Sequence, residues 1–174
     1  MLEIEFRHAD SDDTREVVAL LASVFAAENG TVPSETLDDL ADYFVAYASG
    51  RGVIAAFRLL GPHLRPFDFE HAFDLSALIA HGRRPALVGR LCVSPEFRRV
   101  HYSIYIHKGL LDSGVRWAHS QNITDLFMYT YERLLKFYTK AGFTDTHLVF
   151  RHQVWGEVHL MHRVLSQNAS ATTT

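Results

Sequence analysis

Three stretches of the sequence carry residues that could do chemistry. The first is FYTKAGF, where Tyr138 stands four places before Gly142. A tyrosine phenol, of pKa about 10, is neutral at pH 7 and can donate a hydrogen bond. The second is VSPEFRR, where an apolar run ends in Ser94-Pro95 and a helical pattern follows. Unpaired N–H groups and the positive dipole end at a helix start favour a phosphate, and Arg98 and Arg99 add charge there. An ordinary solvated turn has the same appearance. The third is ALVGRLCV, which holds Arg90 and Cys92. A strand cysteine without a basic neighbour is better explained as inert packing than as a nucleophile. Arg90 suits a ligand carboxylate held bidentately, or equally an acidic side chain of a neighbouring element.

The 11 histidines invite a metal or pH-sensing reading. Their spacing argues against it. His159 and His162 are three apart on an expected strand and so on opposite faces, while His101 and His107 do not align on an expected helix. No metal is expected.

The elements that would position these residues follow from periodicity. Leu2 to Arg7 reads as a strand. A helix opens at Asp10 or Ser11, with Asp12 and Asp13 favouring its positive end, and Val17, Val18, Leu20, Leu21, Val24 and Phe25 on its buried side. Asn29-Gly30 ends it. A second helix is expected from about Ser34, carrying Leu37, Leu40, Phe44 and Tyr47, then a strand from Val53 to Leu60. Residues 61–85 are punctuated by Pro62, Pro66 and Pro85 and read as irregular with one helical turn. The remaining pattern is a strand at ALVGRLCV, a helix from Tyr102 to His119, a strand from Ile123 to Thr130, a helix from Tyr131 to Lys140, and strands near Phe143–His152 and Val154–Leu165. Alternation of this kind predicts an α/β sandwich, parallel in the middle of its sheet and antiparallel at the ends.

Composition bounds the function classes. A chain of 174 residues with 48% hydrophobic content fits one compact domain over residues 1–165, with a frayed, flexible tail at 166–174. Its 17 basic against 20 acidic residues give a net charge of -3, too little basic field for nucleic acid. The single cysteine excludes a disulfide framework and suits a reducing compartment. No run approaches the roughly 18–20 apolar residues of a membrane helix, and the acidic start is unlike a signal peptide, so a cytoplasmic protein is expected.

A strand ending in VSPEFRR, a helix, a strand and then a helix ending in FYTKAGF resembles the GNAT superfamily, N-acyltransferases that use acyl thioesters. The likeness covers nearly the whole chain and is weak over residues 1–50. FRLL, AFDLSAL, LVGRLCVSPEFRR and KGLL are also similar to the branch fed by acyl carrier protein, which includes ornithine-lipid acyltransferases, N-acyl amino acid synthases and, more distantly, acyl-homoserine-lactone synthases. The resemblance implies an α/β fold with a GNAT-type mixed sheet of six to seven strands flanked by about four helices. It puts the donor's pantetheine arm against Leu91, Cys92 and Val93, and its phosphate on Arg98, Arg99, Val100, His101, Tyr102 and Ser103. Tyr138 falls on the general acid. Tyr131 replaces the pattern's Asn and is grouped with the donor-binding residues, and Glu28 and Arg90 are the candidates on the acceptor side.

Two departures bear on function. His101 and Ser103 stand where the pattern has small residues that let backbone amides approach a pyrophosphate. A single phosphopantetheine phosphate asks for less room, which favours carrier protein over coenzyme A, but a domain that has lost donor binding would look the same. Leu87 stands where the carrier-protein branch has an acidic residue, so the general base is missing from its place, with His63, His71, His81, Glu28 or a water as replacements. The resemblance therefore implies acyl transfer from acyl carrier protein or acyl-CoA to a primary amine of a small molecule, with no permanently bound cofactor. Arg83, Arg84, Arg98, Arg99, Lys108 and Arg116 could form a basic face for the acidic carrier, and a homodimer is compatible with this reading. The alternatives are an acetyl-CoA-dependent N-acetyltransferase of a small amine or protein terminus, and a non-catalytic GNAT-like binding domain.

Overall fold

The computed structural model describes residues 2–29, 37–153 and 155–165, without the side chains of Asn29, Val100 and His101. The tail at 166–174, Gly30, Ser34 and Val154 lie outside the described residues. Among the described residues there are seven strands in one sheet and three α-helices. The strands are β1 (Ile4–His8), β2 (Asp42–Ala48), β3 (Gly52–Leu60), β4 (Pro85–Val93), β5 (Asp125–Thr130), β6 (Thr144–His152) and β7 (Gly156–Val164). The helices are α1 (Ser11–Asn29), α2 (Val100–Ser120) and α3 (Leu135–Lys140). None of the described helices is long and apolar enough to cross a membrane.

The chain packs as two compact units, one from residues 1–60 and 88–114, the other from 61–87 and 115–174. In the first, β1, β2 and β3 pair antiparallel, with Ile4 opposite Ala48 and Phe44 opposite Phe57. The two phenyl rings of the latter pair stack at 5.0 Å. Asp10 caps α1 by accepting from the Asp12 and Asp13 N–H groups, and Asp13 returns a bond to the Asp10 N–H, so two orphan ends are satisfied reciprocally. Val17, Leu21, Val24 and Phe25 recur at helical spacing and are buried. Gly109 and Gly114 of α2 meet the rings of Phe6 and Phe57; a Cβ there would lie 2.4 Å and 2.3 Å from ring carbons, so these positions must be bare.

The second helix expected from the sequence is a strand. Leu37 lies in a turn, Leu40 in the short 3₁₀ turn Asp38–Leu40, and Phe44 and Tyr47 on β2. Tyr43, Phe44, Val45 and Ala46 are all buried, so β2 is covered on both faces. A run apolar on every side matches helical spacing by chance, and its aromatic and β-branched content decides for a strand. With that element removed, three α-helices remain among the described residues instead of about four.

In the second unit β5 and β6 each pair antiparallel with β7. Asp125, Phe127 and Tyr129 alternate onto one face of β5. Residues 61–85, which defeat periodicity, contain two 3₁₀ turns, Pro62–Leu64 and Asp68–His71, and cover that face. Phe69 packs on Phe127 at 5.4 Å, Phe73 meets Phe150 edge-on at 5.9 Å, and Arg83 binds Asp125 through Nε and Nη2, each at 2.6 Å. Asp125 is fully buried and also accepts from Thr124 at 2.6 Å and from His162 at 2.8 Å. Burial alone would raise its pKa, but the bonds from Arg83, Thr124 and His162 prevail and hold the carboxyl below the ordinary value.

A carboxylate with a lowered folded pKa contributes stability above its unfolded pKa, about 3.9, and loses that contribution as pH falls through the folded value. Asp125→Asn is expected to cost about 3 kcal/mol at pH 7, because it leaves the Arg83 guanidinium poorly matched. Urea midpoints should show the gap between the two proteins narrowing below about pH 4. A gap that stays constant down to pH 2.5 would contradict the assignment.

Candidate functional site

The first-unit residues expected to meet a donor sit where β4 turns into α2. Leu91 is half-buried, and Cys92 and Val93 are buried. The Cys92 thiol hydrogen-bonds the Ala56 backbone; burial pushes its pKa up to about 12, so it is a neutral packing group at physiological pH. The turn is tied down by Ser94 N–H donating to the Ile54 carbonyl at 2.8 Å, and a 3₁₀ turn at Pro95–Phe97 leads to the helix. Arg98 is not a loose phosphate ligand. Its Nε donates to the Val93 carbonyl at 2.9 Å and its Nη1 meets Glu28 at 2.5 Å, so one side chain ties the end of β4 to the last turn of α1. Glu28, expected near the acceptor, is thereby held at the turn between β4 and α2.

Arg99 is exposed. Ser103 N–H bonds the Arg99 carbonyl at 3.0 Å, the first bond of the helix, which sets the N–H groups of Val100, His101 and Tyr102 in its opening turn. The side chains of Val100 and His101, and with them the crowding expected at His101, lie outside the described residues. Tyr102 is exposed and meets Phe97 edge-on at 6.3 Å. The Ser103 hydroxyl points along the helix to His107 Nδ1 at 3.2 Å, which also lies 2.6 Å from the Ser103 carbonyl oxygen.

Arg90 adopts a left-handed φ of 55° inside β4, a conformation that a side chain tolerates only where its surroundings enforce it. The enforcement is a buried cluster. Arg90 donates to Asp38 at 3.0 Å and lies over the Phe25 ring at 5.9 Å, Arg58 pairs with the same carboxylate, and the Tyr43 hydroxyl reaches it at 3.4 Å. Both arginines are buried. Of the two readings open to Arg90, pairing with an acidic neighbour is the contact present.

In the second unit Tyr138 lies on α3, buried, with Phe137 edge-on at 5.1 Å. Its surroundings explain FYTKAGF. The Phe143 N–H bonds the Tyr138 carbonyl at 3.1 Å, the Gly142 N–H bonds Thr139 at 3.0 Å, and Gly142 has φ 89°. That is a Schellman cap, in which the residue after glycine closes back on the residue three from the helix end, here with the Phe143 and Tyr138 rings in contact at 6.3 Å. Burial raises the Tyr138 phenol's pKa well above the ordinary value. Tyr131, expected to open a helix running to Lys140, is instead extended, immediately before the 3₁₀ turn Glu132–Leu134, with Arg133 over its ring at 4.9 Å. A segment this short closes α3 to six residues.

His63, His71 and His81 are exposed. Sequence reasoning missed the Asp38 and Asp125 clusters. For the first the signal was an arginine amid apolar neighbours, Arg58 in AAFRLL, which requires a carboxylate distant in sequence; Arg83, between Gly82 and Arg84, carried no such signal. Among the described residues no group of three or more His, Cys, Asp or Glu comes together to hold a metal.

Comparison with known proteins adds a family and a set of folds. Residues 20–107, just over half the chain, match a family model described as an acetyltransferase (GNAT) domain. The structure is similar to FeeM, an N-acyl amino acid synthase from uncultured soil microbes, at 14% identity and TM-score 0.76, covering 95% of this chain and 92% of that one. It is similar to the AHL synthase LasI at 14% identity and TM-score 0.68, covering 95% and 90%. It is also similar to an acyl-CoA N-acyltransferase from Pseudomonas aeruginosa at 19% identity and TM-score 0.62, covering 93% and 99%. At these identities the likeness is one of fold. No curated protein matches the chain in sequence.

The cap makes a ranked prediction. Gly142→Ala forces a Cβ into left-handed backbone and should cost about 1–2 kcal/mol, whereas Gly142→Asn should cost less, because asparagine tolerates that conformation. Thermal unfolding of the three proteins checks the order; equal losses for Ala and Asn would show that φ is not the constraint.

Proposed function

Because the chain belongs to the GNAT acetyltransferase family, we propose that it is an N-acyltransferase that moves an acyl group from a thioester donor to a primary amine of a small molecule. The observation that carries this reading is Tyr138, held at the end of α3 by a glycine-dependent cap, as a buried phenol that stays protonated. The amine nitrogen attacks the thioester carbon, the carbon–sulfur bond breaks, and the sulfur leaves as a thiolate. A phenolate is more basic than a thiolate, and burial widens that gap, so Tyr138 acts chiefly by hydrogen-bonding the developing thiolate. The proton shed by the new ammonium then completes the free thiol. Holding the two reactants in attack geometry supplies the larger share, about 7–11 kcal/mol.

On the donor side, Leu91 and Cys92 of β4 would meet the pantetheine arm, and the N–H groups of Val100, His101 and Tyr102 with exposed Arg99 would meet its phosphate. With Arg98 already engaged, that seat is small, which supports acyl carrier protein over coenzyme A; Arg99, Lys108 and Arg116 are exposed for an acidic carrier. The same engagement of Arg98 by Val93 and Glu28 favours a second reading, a GNAT-like binding domain without turnover.

Tyr138→Phe should lower kcat about a hundredfold with little change in the donor KM. The phenol's raised pKa means that it remains protonated as pH rises, so wild-type kcat should show no loss from Tyr138 ionisation up to about pH 10. Unchanged turnover in the variant removes Tyr138 from the mechanism, and absence of turnover with every thioester, free or carrier-borne, selects the second reading.

A further inference from the structure

Within the second unit the segment 61–85 does more than cover β5: it curls around an open cavity of about 520 Å³, a volume suited to a small organic molecule. Arg65, Phe73, Asp74, Leu75, Ile79 and Arg83 are among its lining residues. The two arginines are held alike. Arg65 gives its Nε and Nη2 edge to Glu70, with Nε at 2.9 Å and 3.1 Å from the two carboxylate oxygens. Arg83 gives the same edge to Asp125, and its Nη2 also donates to the Thr124 carbonyl at 3.0 Å. Glu70 is further fixed by the Phe67 N–H at 2.9 Å. Both carboxylates are largely or wholly buried, while 37% of the Arg65 side chain and 31% of the Arg83 side chain remain exposed. Each guanidinium is therefore locked along one edge, and its Nη1 has no hydrogen-bond partner among the described residues.

We infer that this cavity is a binding site for a small amphiphilic monocarboxylate. Its carboxylate takes hydrogen bonds from the outer Nη1 groups of Arg65 and Arg83, and its short hydrocarbon part meets Phe73 and Ile79, the half-buried apolar side chains of a mostly polar lining. Guanidinium donors pre-oriented by buried carboxylates lose little freedom on binding, which suits them to a planar carboxylate. The cavity wall also carries one exposed carboxylate, Asp74, whose side chain accepts from the Ser76 N–H at 2.9 Å and whose pKa is lowered by that bond. A second negative charge on the ligand would meet it, so monoanions are favoured, and an ammonium is tolerated. Two participants in the proposed acyl transfer carry this chemistry, an amino acid acceptor and its N-acylated product, and to that extent the inference rests on the proposed function.

The test is binding without any thioester donor, so that it reads this site independently of turnover. L-leucine, N-octanoylglycine and the uncharged N-octanoylglycinamide are titrated by isothermal calorimetry into the wild-type chain, Arg65→Gln and Ile79→Trp, with circular dichroism confirming the fold of each. Binding of leucine or of N-octanoylglycine, at least tenfold stronger than that of the amide and weakened about tenfold or more by Arg65→Gln, supports the inference and identifies its source. Ile79→Trp, which fills the cavity and leaves both arginines in place, should abolish the same binding even if Arg65→Gln proves unstable. Equal affinity for the carboxylate and the amide, no binding of either carboxylate, or binding unaffected by Ile79→Trp overturns it.

Discussion

A carboxylate removed from water must be met by donors or it will not stay charged, and Asp125 shows how much structure that requirement can organise. Its side chain is wholly buried, and Arg83, Thr124 and His162 converge on it from the segment before β4, from the residue just ahead of β5 and from β7. Residues 61–85 have little regular structure of their own. They are held on one face of β5 by this ion pair at one end and by Phe69 and Phe73 along their length. The open cavity exists because that segment is pinned to β5 at Arg83 and folded on itself by the Arg65–Glu70 pair, and not because a helix or strand encloses it.

The first unit repeats the device at Asp38. Two buried arginines from β3 and β4 meet one carboxylate, and the left-handed backbone at Arg90 is sustained by what its side chain reaches. The turn between β4 and α2 is braced in the same manner, with Arg98 spanning Val93 and Glu28. Charged groups here serve first to hold irregular backbone in place. Their chemistry toward ligands depends on which edges remain open, which is why Arg99, Arg65 and Arg83 enter the functional proposals and Arg98 does not.

Local signals made the flanks legible. The cap at Asp10, the helical spacing of α1 and the apolar strands β3, β4 and β5 can be read from neighbouring residues alone, and so can the motif around Tyr138, because a Schellman cap is written within six residues. β2 was not legible: a strand buried on both faces loses its period-two alternation and imitates a helix. Nor were the ion clusters, since Arg90 and Asp38 are 52 residues apart and Arg83 and Asp125 are 42 apart. Residues 61–85 looked irregular because what organises them lies on β5 and β6, beyond the reach of any local pattern. The family resemblance, by contrast, was carried by two short motifs, and the family match over residues 20–107 agrees with it.

The central claim is thioester aminolysis, and release of free thiol reads it most directly. The purified chain is incubated with a panel of acyl-CoA and acyl-carrier thioesters, with and without a mixture of small primary amines, and free thiol is measured over time. The account predicts thiol release that requires both the protein and an amine, matched mole for mole by amide product, with carrier-borne donors preferred. Thiol release that is indifferent to amine, or none with any donor, would contradict it.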